Sequence, residues 1–254
     1  MTDQLMRADS LLVEQQLANS RTKAQQWISE GKVFYWVNGQ RNLLTKPSLK
    51  LALDTQFSLS LDESDRYVSR GAIKLKAAID ELEMNIKGLV ALDIGASTGG
   101  FTEVLLRGGA SRVVCVDVGH NQLAESVKSD PRVINFEGVN ARALNLDLLE
   151  QTDGKGFDLI VMDVSFISQT LILHQFPKLC HDKSKIISLV KPQFELGPDA
   201  IGKGGIVKNV KYYQNLENDM RMAYDNNQMR VDLYMPSPIK GGDGNREFLL
   251  SASF

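Results

Sequence analysis

Lys191 closes an otherwise apolar run, Ile186-Ile187-Ser188-Leu189-Val190, and precedes Pro192-Gln193-Phe194. A lysine ending a buried strand is unusual, because an ammonium is rarely buried without a partner. Such a lysine should face a cleft, partly desolvated, with its pKa drawn down toward the range of a general base. Two carboxylates can share that cleft. Asp163 ends a second apolar run, Phe157 to Met162. Glu247 follows the turn Gly241-Gly242-Asp243-Gly244-Asn245 and opens a final strand that can approach Lys191. Lys74 lies beside Arg70 near the start of a helical pattern, and its local surroundings alone read as an exposed lysine.

A second constellation points to a ligand. Val90-Ala91-Leu92-Asp93-Ile94 is an apolar run that meets Gly95-Ala96-Ser97-Thr98-Gly99-Gly100, and Phe101, Val104 and Leu105 follow at helical spacing. Strand, glycine turn and helix make a ligand loop at the carboxyl edge of an α/β sheet. The spacing is not Gly-x-Gly-x-x-Gly, and Asp93 would repel a pyrophosphate. An acid here suits a cationic ligand. Asp117 ends the next strand, with Val118 after it, where a carboxylate can hold both ribose hydroxyls. A neutral nucleoside with a cationic tail describes S-adenosylmethionine. The expected cradle is Asp93, Gly95, Ala96, Ser97, Thr98, Gly99, Gly100, Phe101, Asp117 and Val118, with Asn140 bordering the adenine and Asp163 at the cleft. The loop after Asp163, Val164-Ser165-Phe166, should face the substrate. It is no Asn-Pro-Pro-Tyr loop, which disfavours amino-group methylation. No cysteine stands in a nucleophile loop, which disfavours attack through a pyrimidine adduct.

These residues need a scaffold. From residue 88 onward, apolar strands alternate with helical segments: strands at 89–94, 112–117, 133–136, 157–163 and 185–191, and helices at 101–107, 123–128 and 168–180. Ser69 is expected to cap a helix ahead of them, and a polar helix runs from 207 or 208 to about 226. Strands at 231–235 and 247–252 have no helix between them, so one is expected to be antiparallel. The pattern implies an α/β, doubly wound, mostly parallel sheet.

The first 62 residues differ. Helical patterns at 9–19 and 20–31 lead into Val33-Phe34-Tyr35-Trp36-Val37, and Asn38-Gly39 is a hairpin turn. The first 50 residues carry seven Lys or Arg against four Asp or Glu, in a chain of net charge −2. A nucleic-acid partner must therefore be held by a local patch. Arg21 and Lys23 fall in the first turn of a helix, where positive charge opposes the macrodipole, and phosphate binding would explain it. The two cysteines, Cys115 and Cys180, read as buried thiols. Three histidines without ligand spacing give no metal site. Neither a signal peptide nor a spanning segment is apparent, so the cytoplasm is expected and a membrane partner is not.

Ser20-Arg21-x-x-Ala24-x-x-x-Ile28-x-x-Gly31-x-Val33, closing on Val37-Asn38-Gly39, resembles the S4 RNA-binding domain. It carries about two extra residues in the hairpin, within the cluster Phe34-Tyr35-Trp36, which is expected to pack against the helices rather than stack on bases. Lys74, Asp163, Lys191 and Glu247 resemble the catalytic tetrad of FtsJ-like ribose 2′-O-methyltransferases. The whole chain is similar to the hemolysin A (TlyA) family, through Ser69-Arg70-Gly71-x-x-Lys74-Leu75, Asp93-x-Gly95-Ala96-Ser97-Thr98-Gly99-Gly100-Phe101-Thr102, Asp163-Val164-Ser165-Phe166-Ile167-Ser168, Leu189-Val190-Lys191-Pro192-Gln193-Phe194-Glu195, Gly202-Lys203-Gly204-Gly205 and Ser237-Pro238-Ile239-Lys240-Gly241. The resemblance implies an S4-like domain at 1–62, a linker at 63–67 and a methyltransferase domain at 68–254. It implies methyl transfer to cytidine 2′-hydroxyls of 16S and/or 23S ribosomal RNA within ribosomal subunits. Lys191 would be the base, Asp163 and Glu247 would orient it, and Lys74 would steady the alkoxide. RNA contacts are expected at Arg7, Ser20, Arg21, Lys23, Lys32, Arg70 and Lys203, the last on a mobile rim loop. The alternatives are a membrane-active cytolysin, a non-catalytic RNA-binding factor, and a base or small-molecule methylase.

Overall fold

The computed structural model describes residues 5–254, which form two compact units, one ending at Arg66 and the other spanning Tyr67–Phe254. In the first, β1 (Leu5–Arg7), α1 (Ala8–Glu14), α2 (Arg21–Ser29), β2 (Val33–Val37), β3 (Gln40–Leu43), β4 (Lys50–Ala52) and β5 (Phe57–Leu59) follow in order. β1 pairs antiparallel with β4, and β3-β2-β5 form a small antiparallel sheet. The first helix stops sooner than expected because Gln16 adopts a left-handed φ of 59°. Ser20 caps α2 as its position predicts, its Oγ accepting from the Lys23 N–H at 3.2 Å. Asn38 and Gly39, at φ 49° and 76°, make the two-residue hairpin turn.

Ala8, Leu11, Leu12, Ala24, Trp27, Ile28, Val33 and Leu44 form this unit's core. β2 alternates across the sheet. Val33 and Tyr35 pack inward with Phe57 and Leu59, whereas Phe34 lies outside that core and Trp36 is exposed. The expected inward packing of the aromatic cluster therefore holds for one of its three members. Residues 63–66, expected within a linker, form a 3-10 turn. Trp27 Nε1 donates to Asp65 Oδ1 at 2.9 Å, and Lys32 Nζ reaches Asp65 Oδ2 at 2.8 Å.

The second unit contains α3 (Gly71–Glu81), β6 (Val90–Ile94), α4 (Gly100–Arg107), β7 (Arg112–Asp117), α5 (Glu125–Lys128), β8 (Val133–Glu137), β9 (Phe157–Met162), α6 (Phe176–Leu179), β10 (Cys180–Val190), α7 (Pro192–Glu195), α8 (Lys211–Asp225), β11 (Arg230–Pro236) and β12 (Phe248–Ser253). Its seven-stranded sheet has the order β11-β12-β10-β9-β6-β7-β8. β12 is antiparallel to both neighbours, as the missing crossover helix requires. Both faces are covered, so the strands read as continuous apolar runs. Ala91, Val113, Leu159 and Ile187 face one core with residues of α3 and α4. Leu92, Val114, Ile160 and Ile186 face the other, with Phe176 of α6 and Leu216, Met220 and Tyr224 of α8.

Further helical expectations need correction, and the polar helix expected from 207 or 208 begins only at Lys211. Residues 168–180 form short 3-10 turns and the four-residue α6. Ser168 Oγ accepts from the Thr170 N–H, and Pro177 has no N–H to extend a helix. The helix expected at 123–128 begins only at Glu125. Ser69 does not cap α3; its residue at that position is Arg70, with no side-chain cap. Among the described residues, no helix is long and apolar enough to cross a membrane.

Candidate active site

The sheet explains why distant residues meet. Asp117 is the last residue of β7, while Asp163 and Lys191 directly follow β9 and β10. Because β12 runs the opposite way, Glu247 at its start lies on the same edge, beside the Val190–Phe248 register pair. α3 crosses this edge and brings Lys74. Two cavities open here, of about 300 and about 820 Å³, in the size range of ligand sites. They share Gly95, Ser97, Asp163 and Ser165.

The smaller cavity is bordered by two ion pairs. Lys191 Nζ lies 2.7 Å from Asp163 Oδ1 and donates to Ser165 Oγ at 2.8 Å. Lys74 Nζ donates to Glu247 Oε2 at 2.6 Å, and both side chains are at most one-tenth exposed. The structure thus changes one expected partnership: Glu247 pairs with Lys74 instead of Lys191. It also sits beneath the cavity wall. A Cβ on Gly241 would come 2.5 Å from Glu247 Oε1, so the glycine turn packs directly over the carboxylate. Ser165 lies in the loop expected to face the substrate and lines both cavities. Lys240 is a site residue that sequence reasoning left out, its only signal being membership of the segment 237–241.

The loop after β6 has a built geometry. Gly95 adopts φ 83°, and a Cβ there would meet the Asp163 carbonyl oxygen at 2.7 Å. Ser97, though not glycine, holds φ 47°, a conformation that costs of order 1 kcal/mol or more. Its N–H donates to Asp117 Oδ2 at 2.8 Å, and the Gly119 N–H donates to Oδ1 at 2.7 Å. Asp117 therefore staples two loops together, and each of its oxygens retains acceptor capacity toward the larger cavity. Val118, three-quarters exposed, and Asn140 line the same cavity; Asn140 also caps a 3-10 turn by accepting from the Arg142 N–H at 2.9 Å.

Asp93 lies elsewhere than expected. β6 alternation points it into the α3–α4 core, where it is wholly buried and lines neither cavity. Thr102 Oγ1 donates to its Oδ2 at 2.6 Å, while Oδ1 has no hydrogen-bond partner among the described residues. Burial pushes the Asp93 carboxyl up to about 7, against the lowering hydrogen bond from Thr102 and with the Asp163 charge adding to the rise. The Cys115 thiol, 3.1 Å from Thr102 Oγ1, is likewise pushed up by burial and behaves as a core group. Gly99 also lines neither cavity, whereas Ala96, Thr98, Gly100 and Phe101 line the smaller one. A Cβ on Gly99 would strike Leu123 and Val127, so that glycine seats the loop against α5.

The expected RNA contacts divide. Arg70 borders the smaller cavity. In the first unit, Asp9 is buried and accepts from Arg7, Arg21 and Gln25, with its carboxyl held far below the usual range, chiefly by Arg7. That acid explains how Arg21 is tolerated at a helix start. Lys23 lies over the Trp27 ring at 5.6 Å, and Lys32 pairs with Glu30, Asp62 and Asp65. Lys203 is exposed on a short turn that lines neither cavity. The turn is pinned by Asn245, which accepts from the Val207 N–H and donates to the Gly205 carbonyl.

Comparison with known proteins divides the chain into two matched regions. The S4 domain matches residues 6–51. The chain is 38% identical over 245 residues to the 16S/23S rRNA (cytidine-2′-O)-methyltransferase TlyA of Mycobacterium tuberculosis, covering 96% of this chain and 88% of that one. It is 37% identical to Hemolysin A of Brachyspira hyodysenteriae, over 96% of this chain and 98% of that one. A solved structure of a Streptococcus thermophilus protein that carries a hemolysin name superposes with a TM-score of 0.73 at 38% identity, covering 99% and 89% of the two chains. The FtsJ-like methyltransferase family matches residues 67–254, and with most of its length inside that match the chain belongs to this family.

Proposed function

We propose that the protein transfers a methyl group from S-adenosylmethionine to the ribose 2′-hydroxyl of cytidine in 16S and/or 23S ribosomal RNA, acting on ribosomal subunits. The observation that carries this reading is the pair of lysine–carboxylate contacts, Lys191–Asp163 and Lys74–Glu247, beside the Gly95 loop. The fit to the cofactor rests on three features: a cavity of about 820 Å³, the spare acceptor capacity of Asp117, and a loop that the missing Cβ of Gly95 lets lie tight against the Asp163 backbone at the cavity. Bound there, the cofactor supplies an electrophilic methyl on a sulfonium. Asp117 would take the ribose hydroxyls, and Val118 and Asn140 would flank the base. Gly95, Ser97, Asp163 and Ser165 are common to both cavities, which supports methyl transfer at their junction.

A ribose hydroxyl is a poor nucleophile at neutral pH, so its proton must leave as attack proceeds. Lys191 Nζ, at the cavity and oriented by its neighbours, is the group placed to accept it. Asp163 and Ser165 fix the direction of that nitrogen. The Lys74 ammonium, held by Glu247, steadies the charge that grows on the oxygen. Phe166 is nine-tenths exposed, with φ 64°, and its ring lies 5.2 Å from that of Phe194 at the cavity mouth. This placement supports a role in seating the target nucleotide. Lys191→Ala should lose methyl transfer while still binding S-adenosylmethionine by calorimetry; retained turnover would refute the assignment.

A further inference from the structure

β2 and β3 present an outward face that the chemistry above does not use. The pairs Phe34–Leu43 and Trp36–Arg41 lie opposite one another, and Ser58 of β5 stands beside Phe34. The Arg41 guanidinium stacks 3.6 Å from the Phe34 ring centroid, and its Nε donates to Ser58 Oγ at 3.1 Å. Among the described residues neither Nη group of Arg41 has a partner, and no carboxylate pairs with it. This sets Arg41 apart from Arg7, Arg21 and Lys32, whose charges are met by Asp9, Asp62 and Asp65. Trp36 is 43% exposed and Leu43 is 47% exposed. No acidic residue occurs in β2, β3 or β5.

An indole that is open to solvent, beside a guanidinium that is already oriented and lacks a counter-ion, combines a flat apolar surface with an unmet positive charge. That combination fits one unpaired base and its phosphate. A protein partner fits less well. Stable protein interfaces engage about 20–30 residues a side, whereas these strands have five, four and three residues. We infer that this hairpin face is a second RNA contact, in which an unpaired nucleobase of the ribosomal RNA stacks on Trp36 and the adjoining phosphate pairs with Arg41. The inference rests on the reading of ribosomal RNA as substrate. It assigns the extra length of the hairpin to binding, separate from the nucleotide that is methylated.

The test uses the full chain and equilibrium binding, so that it does not depend on turnover. Unmethylated ribosomal subunits and a protein-free ribosomal RNA transcript serve as probes, with Trp36→Ala, Trp36→Phe and Arg41→Ala checked for an unchanged melting transition. Trp36→Ala should weaken binding to both probes about tenfold, and Trp36→Phe should recover most of that loss. Arg41→Ala should lower the slope of log Kd against log salt by about one phosphate contact. Where methyl transfer is measured, KM for the subunit should rise with kcat unchanged. Equal binding by Trp36→Ala and wild type would overturn the inference, as would a loss seen with subunits but not with the bare transcript, which would identify a ribosomal protein as the occupant. Absence of methyl transfer by the wild type, with the binding differences intact, would instead remove the proposed reaction and leave the contact standing.

Discussion

Lys74 and Glu247 illustrate how a single buried partnership can serve both stability and chemistry. Removing one member leaves the other charged and buried, which costs about 3 kcal/mol or more. Glu247→Ala should therefore lower the denaturant midpoint as well as turnover. The double change Lys74→Met, Glu247→Leu should recover most of the stability and none of the activity; recovery of both would show that the pair is only structural. Asp93 makes a different prediction. Its folded carboxyl is raised to about 7 from an ordinary value near 3.8, so the unfolded chain releases its proton first as pH rises. Stability from this group is fully present below about pH 4 and is lost as pH climbs to about 7, by no more than about 4 kcal/mol. Asp9, held low by Arg7, acts oppositely and only below that window. Urea titrations of Asp93→Asn should show a flatter stability profile between pH 4 and 7 than the wild type. Identical slopes would mean that Asp93 is not titrating there.

The β6 loop and its neighbours show what sequence can and cannot disclose about an element. Asp117, Asp163 and Lys191 were legible because each ends an apolar strand, and strand ends share one edge of a parallel sheet. Glu247 was legible as an edge residue but not as the partner of Lys74, since the position of α3 over that edge is a matter of packing. Asp93 misled because its direction follows from strand alternation, which places it toward Thr102 and away from the ligand cavities. The helix expected at 168–180 failed for a local reason, Ser168, Thr170 and Pro177 favouring tight turns over a continuous helix. At this scale Gly95→Ala should abolish cofactor binding with little change in secondary structure, because the added Cβ would meet the Asp163 carbonyl. Calorimetry alongside far-ultraviolet circular dichroism reads both. Ser20→Ala should cost about 1 kcal/mol through loss of the α2 cap, seen as a lower midpoint with methyl transfer on saturating substrate unaffected.

At the scale of the molecule, a chain of net charge −2 carries its basic excess in the first 50 residues, ahead of the FtsJ-like methyltransferase region at 67–254. On the proposed function, the first compact unit holds RNA and the second alters it. KM for ribosomal substrate should consequently rise steeply with salt while affinity for the cofactor stays nearly level, a contrast that parallel titrations at several ionic strengths would expose. The central claim concerns which atom receives the methyl group. The most direct measurement is incubation of unmethylated ribosomal subunits with the protein and isotopically labelled S-adenosylmethionine, followed by digestion to nucleosides and mass spectrometry. Label in 2′-O-methylcytidine, absent with Lys191→Ala, is the predicted result; label on a base, or in no nucleoside at all, would contradict it.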